Sequence, residues 1–369
     1  MKPRVWAVLT GVLLIYSLIV FFIGWNGYVW LRTLVDVHAG YYSVIMAILA
    51  YSYFLGRVNY RLSIFKVIGS YWFAAVQFAL ILLPLADLSV LLASAVGIPL
   101  ESAVFWTGAV VLAIFIFAFL LGSWNAWSPI VRTYQISIPK PAGKYRSLRI
   151  GMASDLHLGT LVGNVHLHRL VTQINALGPD LILLPGDVID DDIEPFIRKN
   201  MGEVMKHLQA PLGVYAVLGN HEYIGKKIPE YVKEMTAINI RVLMDEIVTL
   251  ADSITLIGRK DRAARQRQSL EQLVAGVDPA HPIFVMDHQP YELKQAALHG
   301  VDLMLSGHTH RGQIVPNHLI TRRIFELDWG YLQKEQLHAI VSSGFGTWGP
   351  PLRLGSRSEI IQIDITFTG

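Results

Sequence analysis

Long apolar runs fill the N-terminal third of the chain and are absent from the remainder. Four of them lie at about residues 6–25, 39–55, 67–85 and 104–121. A helix needs roughly 20 apolar residues to cross the hydrocarbon core of a bilayer, and each run approaches or meets this length. Pro84 predicts a kink or an end in the third helix. The pattern therefore predicts a transmembrane helical domain over residues 1–123.

A further apolar stretch between the third and fourth runs leaves the number of spans open. It extends from Asp87 to Leu100 and is shorter than a typical span. As an interfacial or re-entrant segment it would leave four spans, with both termini on one side of the membrane. As a fifth span it would place the termini on opposite sides.

Positive charge is unevenly distributed between the loops of this domain. One cluster follows the second apolar run and another follows the last, and together they comprise Arg57, Arg61, Lys66, Arg132, Lys140, Lys144, Arg146 and Arg149. Loops rich in Lys and Arg stay in the cytoplasm. Four spans and a cytoplasmic C-terminal part fit this distribution best, whereas five spans would place that part outside the cell.

Shorter apolar runs follow residue 123 and alternate with helical patterns. Residues 124–147 form a linker with an entry strand around Tyr134–Ile138. The predicted buried strands are Leu148–Ala153, Leu181–Leu184, Gly213–Leu218, Ile254–Ile257, Ile283–Met286, Val301–Leu305 and Ala339–Val341. The predicted helices are Val165–Leu177, Pro195–Leu208, Pro229–Ala237 and Ser269–Val274. This alternation predicts a layered α/β domain over residues 148–369. A last alternating stretch, Ile361–Ile365, predicts a half-exposed strand that closes the domain.

Composition agrees with a part of the chain in lipid, because 53% of the residues are hydrophobic and only 16% are charged. A formal net charge of +3, without a basic stripe interleaved with aromatic residues, argues against a nucleic acid partner. The chain has no cysteine, which excludes disulfides, thiolate metal ligands and a cysteine nucleophile. Any metal ion must be held by imidazole, carboxylate or amide groups.

Polar side chains that can bind metals follow five of the predicted strands. The blocks are Ser154-Asp155-Leu156-His157, Pro185-Gly186-Asp187-Val188-Ile189-Asp190, Gly219-Asn220-His221-Glu222, Asp287-His288-Gln289-Pro290 and Ser306-Gly307-His308-Thr309-His310. Ligands of α/β folds bind beyond the carboxyl ends of strands, so we expect these blocks to converge. Oxygen and imidazole donors suit Mn²⁺, Fe and Zn²⁺.

The five blocks, in this order, resemble the pattern of the calcineurin-like metallophosphoesterase superfamily: D-x-H, G-D-x-x-D, G-N-H-[DE], a lone His, and G-H-x-H. The resemblance covers about residues 148–369, and the stretch Gly344–Pro351 with Arg353 resembles a branch that is often fused to membrane segments. It implies a layered β-sandwich flanked by helices. The expected fold is therefore an N-terminal α-helical transmembrane domain followed by an α/β metallophosphoesterase domain.

The resemblance also implies the roles of individual residues. One divalent metal ion would be bound by Asp155, His157 and His310, a second by Asn220, His288 and His308, and Asp187 would bridge the two. Mn²⁺ is the expected metal, with Fe and Zn²⁺ as alternatives. His221 is the predicted catalytic residue, which would contact a phosphoryl oxygen or protonate the leaving group. Its orienting partner is either Asp190 or Glu222.

Two metal ions can share a hydroxide that attacks phosphorus in line with the leaving group. The sequence thus predicts a membrane-anchored phosphohydrolase for a phosphoester or phosphoanhydride, including lipid-linked substrates. Its expected partners are membrane lipids and a phosphate-containing substrate. The basic run Arg259–Arg267 is either a solvated loop or a contact for anionic head groups or substrate. The alternative functions are a non-catalytic metal-binding membrane scaffold or sensor, and a transporter with a regulatory phosphatase domain.

Overall fold

The computed structural model of the chain describes residues 3–369. The chain divides into two compact units, residues 1–121 with 349–351 and residues 122–348 with 352–369. The first unit is built from long apolar helices and the second from strands and shorter helices.

Among the described residues, the N-terminal part contains four long helices, and each is long and apolar enough to cross a membrane. They are α1 (Pro3–Leu31), α2 (Ala39–Val58), α3 (Ser63–Ala95) and α4 (Leu100–Trp127). Many of their large apolar side chains are exposed, for example Leu18 at 67% and Leu91 at 68%. Such surfaces are unfavourable in water and suit a hydrocarbon environment.

The segment after Pro84 is not a separate span. Helix α3 continues through Pro84 to Ala95, so Asp87 lies within the helix and the residues up to Ala95 are its last turns. A proline in a helix removes one backbone hydrogen bond, and the neighbouring leucines favour the helical state strongly enough to continue it. Of the described residues, four segments qualify as candidate spans. The expectation that Pro84 could end the third helix was wrong.

The second unit contains two six-stranded sheets. The first has the order β1-β12-β2-β3-β4-β5 and the second the order β10-β11-β9-β8-β7-β6. The strands are β1 (Ile130–Ile138), β2 (Ser147–Met152), β3 (Leu181–Pro185), β4 (Val214–Val217), β5 (Ile240–Leu243), β6 (Glu246–Leu250), β7 (Ile254–Gly258), β8 (Ile283–Met286), β9 (Leu303–Ser306), β10 (Gly330–Lys334), β11 (Leu337–Val341) and β12 (Glu359–Phe367).

Eight shorter α-helices follow α4. They are α5 (Asn164–Ala176), α6 (Glu194–Arg198), α7 (Met201–Met205), α8 (Asn220–Gly225), α9 (Ile228–Ala237), α10 (Leu270–Val274), α11 (Leu293–Leu298) and α12 (His318–Ile324). Of these, α5, α6, α7 and α9 pack on the outer face of the first sheet, and α10 and α11 pack on the outer face of the second. The inner faces of the sheets share one core, to which Leu183 and Phe284 belong. Leu170 packs in a second core on the first sheet, and Leu293 in a third on the second sheet. This layered β-sandwich flanked by helices confirms the predicted fold class.

Strand β12 is longer than the predicted Ile361–Ile365 and lies inside its sheet, parallel to β1 and antiparallel to β2. The predicted alternation is confirmed, because Ile361, Ile363 and Ile365 are buried in the shared core, whereas Gln362 and Asp364 are only half-buried. One element differs from its prediction. The helix predicted over Pro195–Leu208 is two short helices, α6 and α7, separated at Asn200, whose φ of 49° is left-handed.

Candidate metal centre

The five polar blocks follow β2, β3, β4, β8 and β9, and all eight predicted site residues meet beyond these strand ends. The backbone turns sharply there. Left-handed φ values occur at Asp155 (51°), His157 (46°), Asp187 (52°), His308 (70°) and His310 (48°). Such a conformation costs a non-glycine residue about 1–3 kcal/mol and is concentrated at functional sites.

Asp155, His157 and His310 form one cluster, called here the first ligand group. The Nε2 atoms of His157 and His310 lie 3.1 Å apart, and His310 Nε2 lies 3.6 Å from Asp155 Oδ1. All three residues are buried. Ser154 donates a short hydrogen bond to Asp155 Oδ2, and the backbone N–H of His308 donates to Oδ1 at 2.8 Å. These bonds fix the carboxylate.

Asn220, His288 and His308 form the second ligand group. Asn220 Oδ1 lies 3.3 Å from His288 Nε2 and 2.8 Å from His308 Nδ1. His288 is fully buried, and its Nδ1 lies 2.9 Å from the carbonyl oxygen of Pro185. A ligating histidine commonly donates its other ring N–H to a carbonyl in this way, which fixes the ring orientation.

Asp187 lies between the two groups. Its Oδ2 is 3.1 Å from His288 Nε2 and 3.9 Å from His157 Nε2. Its Oδ1 accepts a hydrogen bond of 2.9 Å from the backbone N–H of His221. Burial opposes ionisation of Asp187, but the neighbouring His288 holds the pKa of this carboxyl well below its usual range. Asp187 is therefore an ionised carboxylate within reach of both ligand groups.

The donor set fits divalent metal ions. Burial lowers the pKa of His157 to about 4 and that of His308 to about 3, and it holds the pKa of His310 well below the ordinary value. These three imidazoles are thus neutral at pH 7, as metal ligation requires. Burial opposes protonation of His288, but Asp187 raises the pKa of this ring well above its ordinary value, so a metal ion would displace a proton from it. Facing ring nitrogens 3.1 Å apart, next to two buried carboxylates, present converging lone pairs. The clusters and the chemistry of their donors indicate divalent metal binding.

His221 is adjacent to these groups and is oriented by a residue that the sequence did not single out. Its Nδ1 lies 2.7 Å from Asp191 Oδ1 and 3.7 Å from Asp190 Oδ1. Burial lowers the pKa of His221, but Asp191, Asp187 and Asp190 outweigh this effect and raise the pKa to about 9. The nearest partner is therefore Asp191, not Asp190 or Glu222. The consecutive carboxylates 190–192 were the available signal in the sequence.

Glu222 has a different task. It is buried, and its carboxylate accepts hydrogen bonds from the backbone N–H groups of Asp187 at 3.2 Å, Ile189 at 3.0 Å and Gly219 at 2.7 Å. These bonds join the turn after β3 to the turn after β4. Burial and the nearby charge of Asp187 raise the pKa of Glu222 to about 8. Glu222 thus supports the loop that carries Asp187.

Two arginines of the basic run Arg259–Arg267 point inward. Arg259 is only 2% exposed, and its Nη1 lies 2.8 Å from both Asp287 Oδ2 and Glu292 Oε2. Arg267 also pairs with Asp287, the neighbour of ligand His288. Neither a solvated loop nor a head-group contact describes these two residues. Their charges instead compensate a buried carboxylate next to the second ligand group.

Arg353 lies behind the first ligand group and is fully buried. It donates to the carbonyl oxygen of Gly346 from Nη2 at 2.5 Å and from Nε at 3.2 Å, and Nη2 lies 3.3 Å from His310 Nδ1. Burial lowers the pKa of Arg353 to about 10, so the guanidinium is charged at neutral pH. Gly344 allows this approach, because a Cβ there would lie 2.9 Å from Asp155 Cβ and 3.0 Å from Arg353 Nη2.

Known proteins are similar to part of this chain. The family model of the calcineurin-like phosphoesterases matches residues 148–312. A Bos taurus protein named "Transmembrane protein with metallophosphoesterase domain" is 32% identical over 256 residues, which are 64% of this chain and 57% of the bovine protein. An uncharacterized metallophosphoesterase of Helicobacter pylori is 33% identical over 224 residues, 59% of this chain and 60% of that protein.

An uncharacterized metallophosphoesterase of Aquifex aeolicus is 31% identical over 248 residues, which are 65% of this chain and 92% of that protein. The aligned part thus covers little more than half of the bovine relative, at 57%, but nearly all of the Aquifex protein. The four apolar helices and the name of the bovine relative indicate membrane association. The chain belongs to the calcineurin-like phosphoesterase family, in a branch that includes proteins named as transmembrane.

Proposed function

We propose that this protein is a membrane-anchored phosphohydrolase that works with two divalent metal ions and cleaves a phosphoester or phosphoanhydride bond. The observation that carries the proposal is the place of Asp187, whose Oδ2 lies 3.1 Å from the second ligand group and 3.9 Å from the first. The first ligand group would hold one ion, the second ligand group the other, and Asp187 would contact both. A purely structural site needs no shared carboxylate.

The ions, when bound, would supply Lewis acidity toward the phosphoryl oxygens and would make water a stronger nucleophile. The chain itself contributes orientation and a proton. A water oxygen forms the new bond to phosphorus and releases a proton to the solvent, while the bond between phosphorus and the leaving oxygen breaks. His221, held by Asp191 at 2.7 Å, donates the proton that the leaving oxygen needs.

The membrane helices support a lipid-linked substrate and a multi-pass topology. With four spans both termini lie on one side. The basic residues at the end of α2, in the turn after it and at the start of α3, Arg57, Arg61 and Lys66, favour the cytoplasmic side for this turn and for the second unit. A substrate that is itself embedded in the bilayer would then reach the enzyme by diffusion in two dimensions. Mn²⁺ is the metal we propose, with Fe and Zn²⁺ as the alternatives that the same imidazole, carboxylate and amide donors suit.

Hydrolysis by the purified full chain in lipid nanodiscs tests this proposal. We expect Mn²⁺-dependent turnover of bis(p-nitrophenyl) phosphate or of a lipid-linked pyrophosphate. Asp187→Asn and His221→Ala should each lower turnover about 100-fold or more, because they remove the shared ligand and the proton donor. The exposed His207 offers a matched control, and His207→Ala should leave turnover unchanged.

The outcome separates the enzyme from the scaffold. A wild-type protein that binds Mn²⁺ but hydrolyses neither substrate would contradict the phosphohydrolase and favour a metal-binding membrane scaffold or sensor. Equal turnover by wild type and His221→Ala would contradict the role of His221 alone.

A further inference from the structure

Trp348 is an exposed aromatic residue in a segment that is otherwise buried. Its side chain is 59% exposed, whereas Phe345 is fully buried and Thr347 is 3% exposed. An indole of this size is usually covered by protein or by a ligand, because exposing it to water is unfavourable. We therefore expect a ligand to cover this ring.

The backbone of Trp348 is clamped by the side chain of Gln313. The Gln313 amide donates to the Trp348 carbonyl oxygen at 2.9 Å, and the Trp348 N–H donates to Gln313 Oε1 at 2.8 Å. Gln313 is 5% exposed and follows ligand His310 by three residues. This pair of hydrogen bonds joins Trp348 to the turn that carries His308 and His310. An exposed ring on an accidental surface loop would need no such support.

The ring of Trp348 lies next to the proposed proton donor. The ring centroids of Trp348 and His221 are 6.5 Å apart, and the two planes meet at 71°. His221 is 7% exposed, and its Nδ1 faces Asp191. The group that takes a proton from His221 would therefore have the indole as a neighbour. That group is the leaving oxygen together with the organic part attached to it.

We infer that Trp348 binds the organic part of the leaving group, and that the enzyme prefers phosphate compounds whose leaving group is apolar, either aryl or alkyl, over small hydrophilic ones. This inference rests on the proposed function and names its substrate class. Burial of an aromatic face against an apolar group stabilises the complex, and it adds selectivity that two metal ions, which contact only the phosphate, do not provide.

Binding of phosphonates, which are not hydrolysed, tests the inference without turnover. The probes are methylphosphonate, hexylphosphonate and phenylphosphonate, titrated calorimetrically into the Mn²⁺-loaded full chain. We expect phenylphosphonate or hexylphosphonate to bind about tenfold more tightly than methylphosphonate, a difference of roughly one aromatic contact. Whichever of the two, phenylphosphonate or hexylphosphonate, shows the larger gain in affinity over methylphosphonate indicates whether the preferred leaving group is aryl or alkyl. Trp348→Ala should abolish the difference, and Trp348→Phe should keep most of it.

The matched control is Leu298→Ala, which removes a 68% exposed apolar side chain on α11 and should change none of the three affinities. The Mn²⁺ content of each variant reports whether its site is intact. Equal binding of all three probes by wild type would overturn the inference. So would an unchanged preference in Trp348→Ala. Selective binding without turnover of any substrate would contradict the proposed function and leave only the contact between Trp348 and the apolar group of a phosphate ligand.

Discussion

Asp191 Oδ1 lies 2.7 Å from Nδ1 of His221. Burial lowers the pKa of His221, and Asp191 raises it more than any other neighbouring residue does. A proton donor must be protonated, so activity should fall as the pH rises through the pKa of His221, which is about 9. Asp191→Asn keeps the size of the side chain but removes its charge. We expect the alkaline limb of the kcat/KM profile to move to lower pH and kcat at pH 8 to fall about tenfold.

The neighbouring carboxylate gives the control for this measurement. Asp192 is exposed and caps the backbone N–H of Glu194 at 3.0 Å, so Asp192→Asn removes the same charge without touching His221. Its pH profile should match that of the wild type. If Asp191→Asn lowers kcat without moving the alkaline limb, the carboxylate has only a structural role.

At the residue scale, the sequence predicted which side chains would converge but not how they contact one another. The spacing of Asp187 and His288 after apolar runs was enough to place them at strand ends. Asp190 and Asp191 are adjacent in the chain, and only the turn after β3 decides which of them meets His221. The inward direction of Arg259 was likewise invisible, because its partner Asp287 is 28 residues away in sequence.

At the element scale, the turns after β2 and β9 lie so close together that there is no space for a side chain at Gly307. Gly307 follows β9, and a Cβ there would lie 2.2 Å from Asp155 Oδ2 and 2.5 Å from Ser154 Oγ. Gly307→Ala should therefore displace Asp155, destabilise the fold by about 1–3 kcal/mol and weaken Mn²⁺ binding. Thermal unfolding with and without Mn²⁺ measures both effects.

Substitution of a second glycine, Gly276, is the control that distinguishes the effect of steric crowding at Gly307 from the effect of adding a methyl group anywhere. A Cβ at Gly276 would meet no atom within 4 Å, so Gly276→Ala should change neither the unfolding temperature nor its response to Mn²⁺. A Gly307→Ala protein with wild-type Mn²⁺ affinity would contradict the positioning of Asp155 by this turn.

Apolar runs predicted elements best where both faces of a strand are buried. The run Ile283–Met286 was predicted with the bounds that β8 has. Strands β5, β6 and β10 were missed, since the exposed Arg241 interrupts β5, and β6 and β10 alternate intermediate and exposed positions at the two edges of their sheet. The interior position of β12 in its sheet depends on pairing with β1, which is more than 220 residues away in the chain, and no local pattern predicts such a partner.

At the scale of the whole molecule, the number of spans decides where the catalytic unit lies. The apolar stretch after Pro84 was ambiguous in the sequence because its length suits neither a loop nor a span. Since α3 continues to Ala95, this stretch belongs to the third helix, and four candidate spans remain in the described part of the chain.

Reporter fusions after Gly369 test the resulting topology. Four spans and the positive-inside rule predict that a reporter active only in the cytoplasm is active in this fusion. A reporter active only outside should be inactive there. The reverse pair of results would contradict the cytoplasmic position of the catalytic unit, while leaving the metal chemistry untouched.

Anomalous scattering from crystals of the full chain soaked with Mn²⁺ counts the bound metal ions. We expect two manganese peaks per chain, one at the first ligand group and one at the second, with the carboxylate of Asp187 next to both. A single peak, or two peaks of which neither is next to Asp187, would contradict a phosphohydrolase with two metal ions.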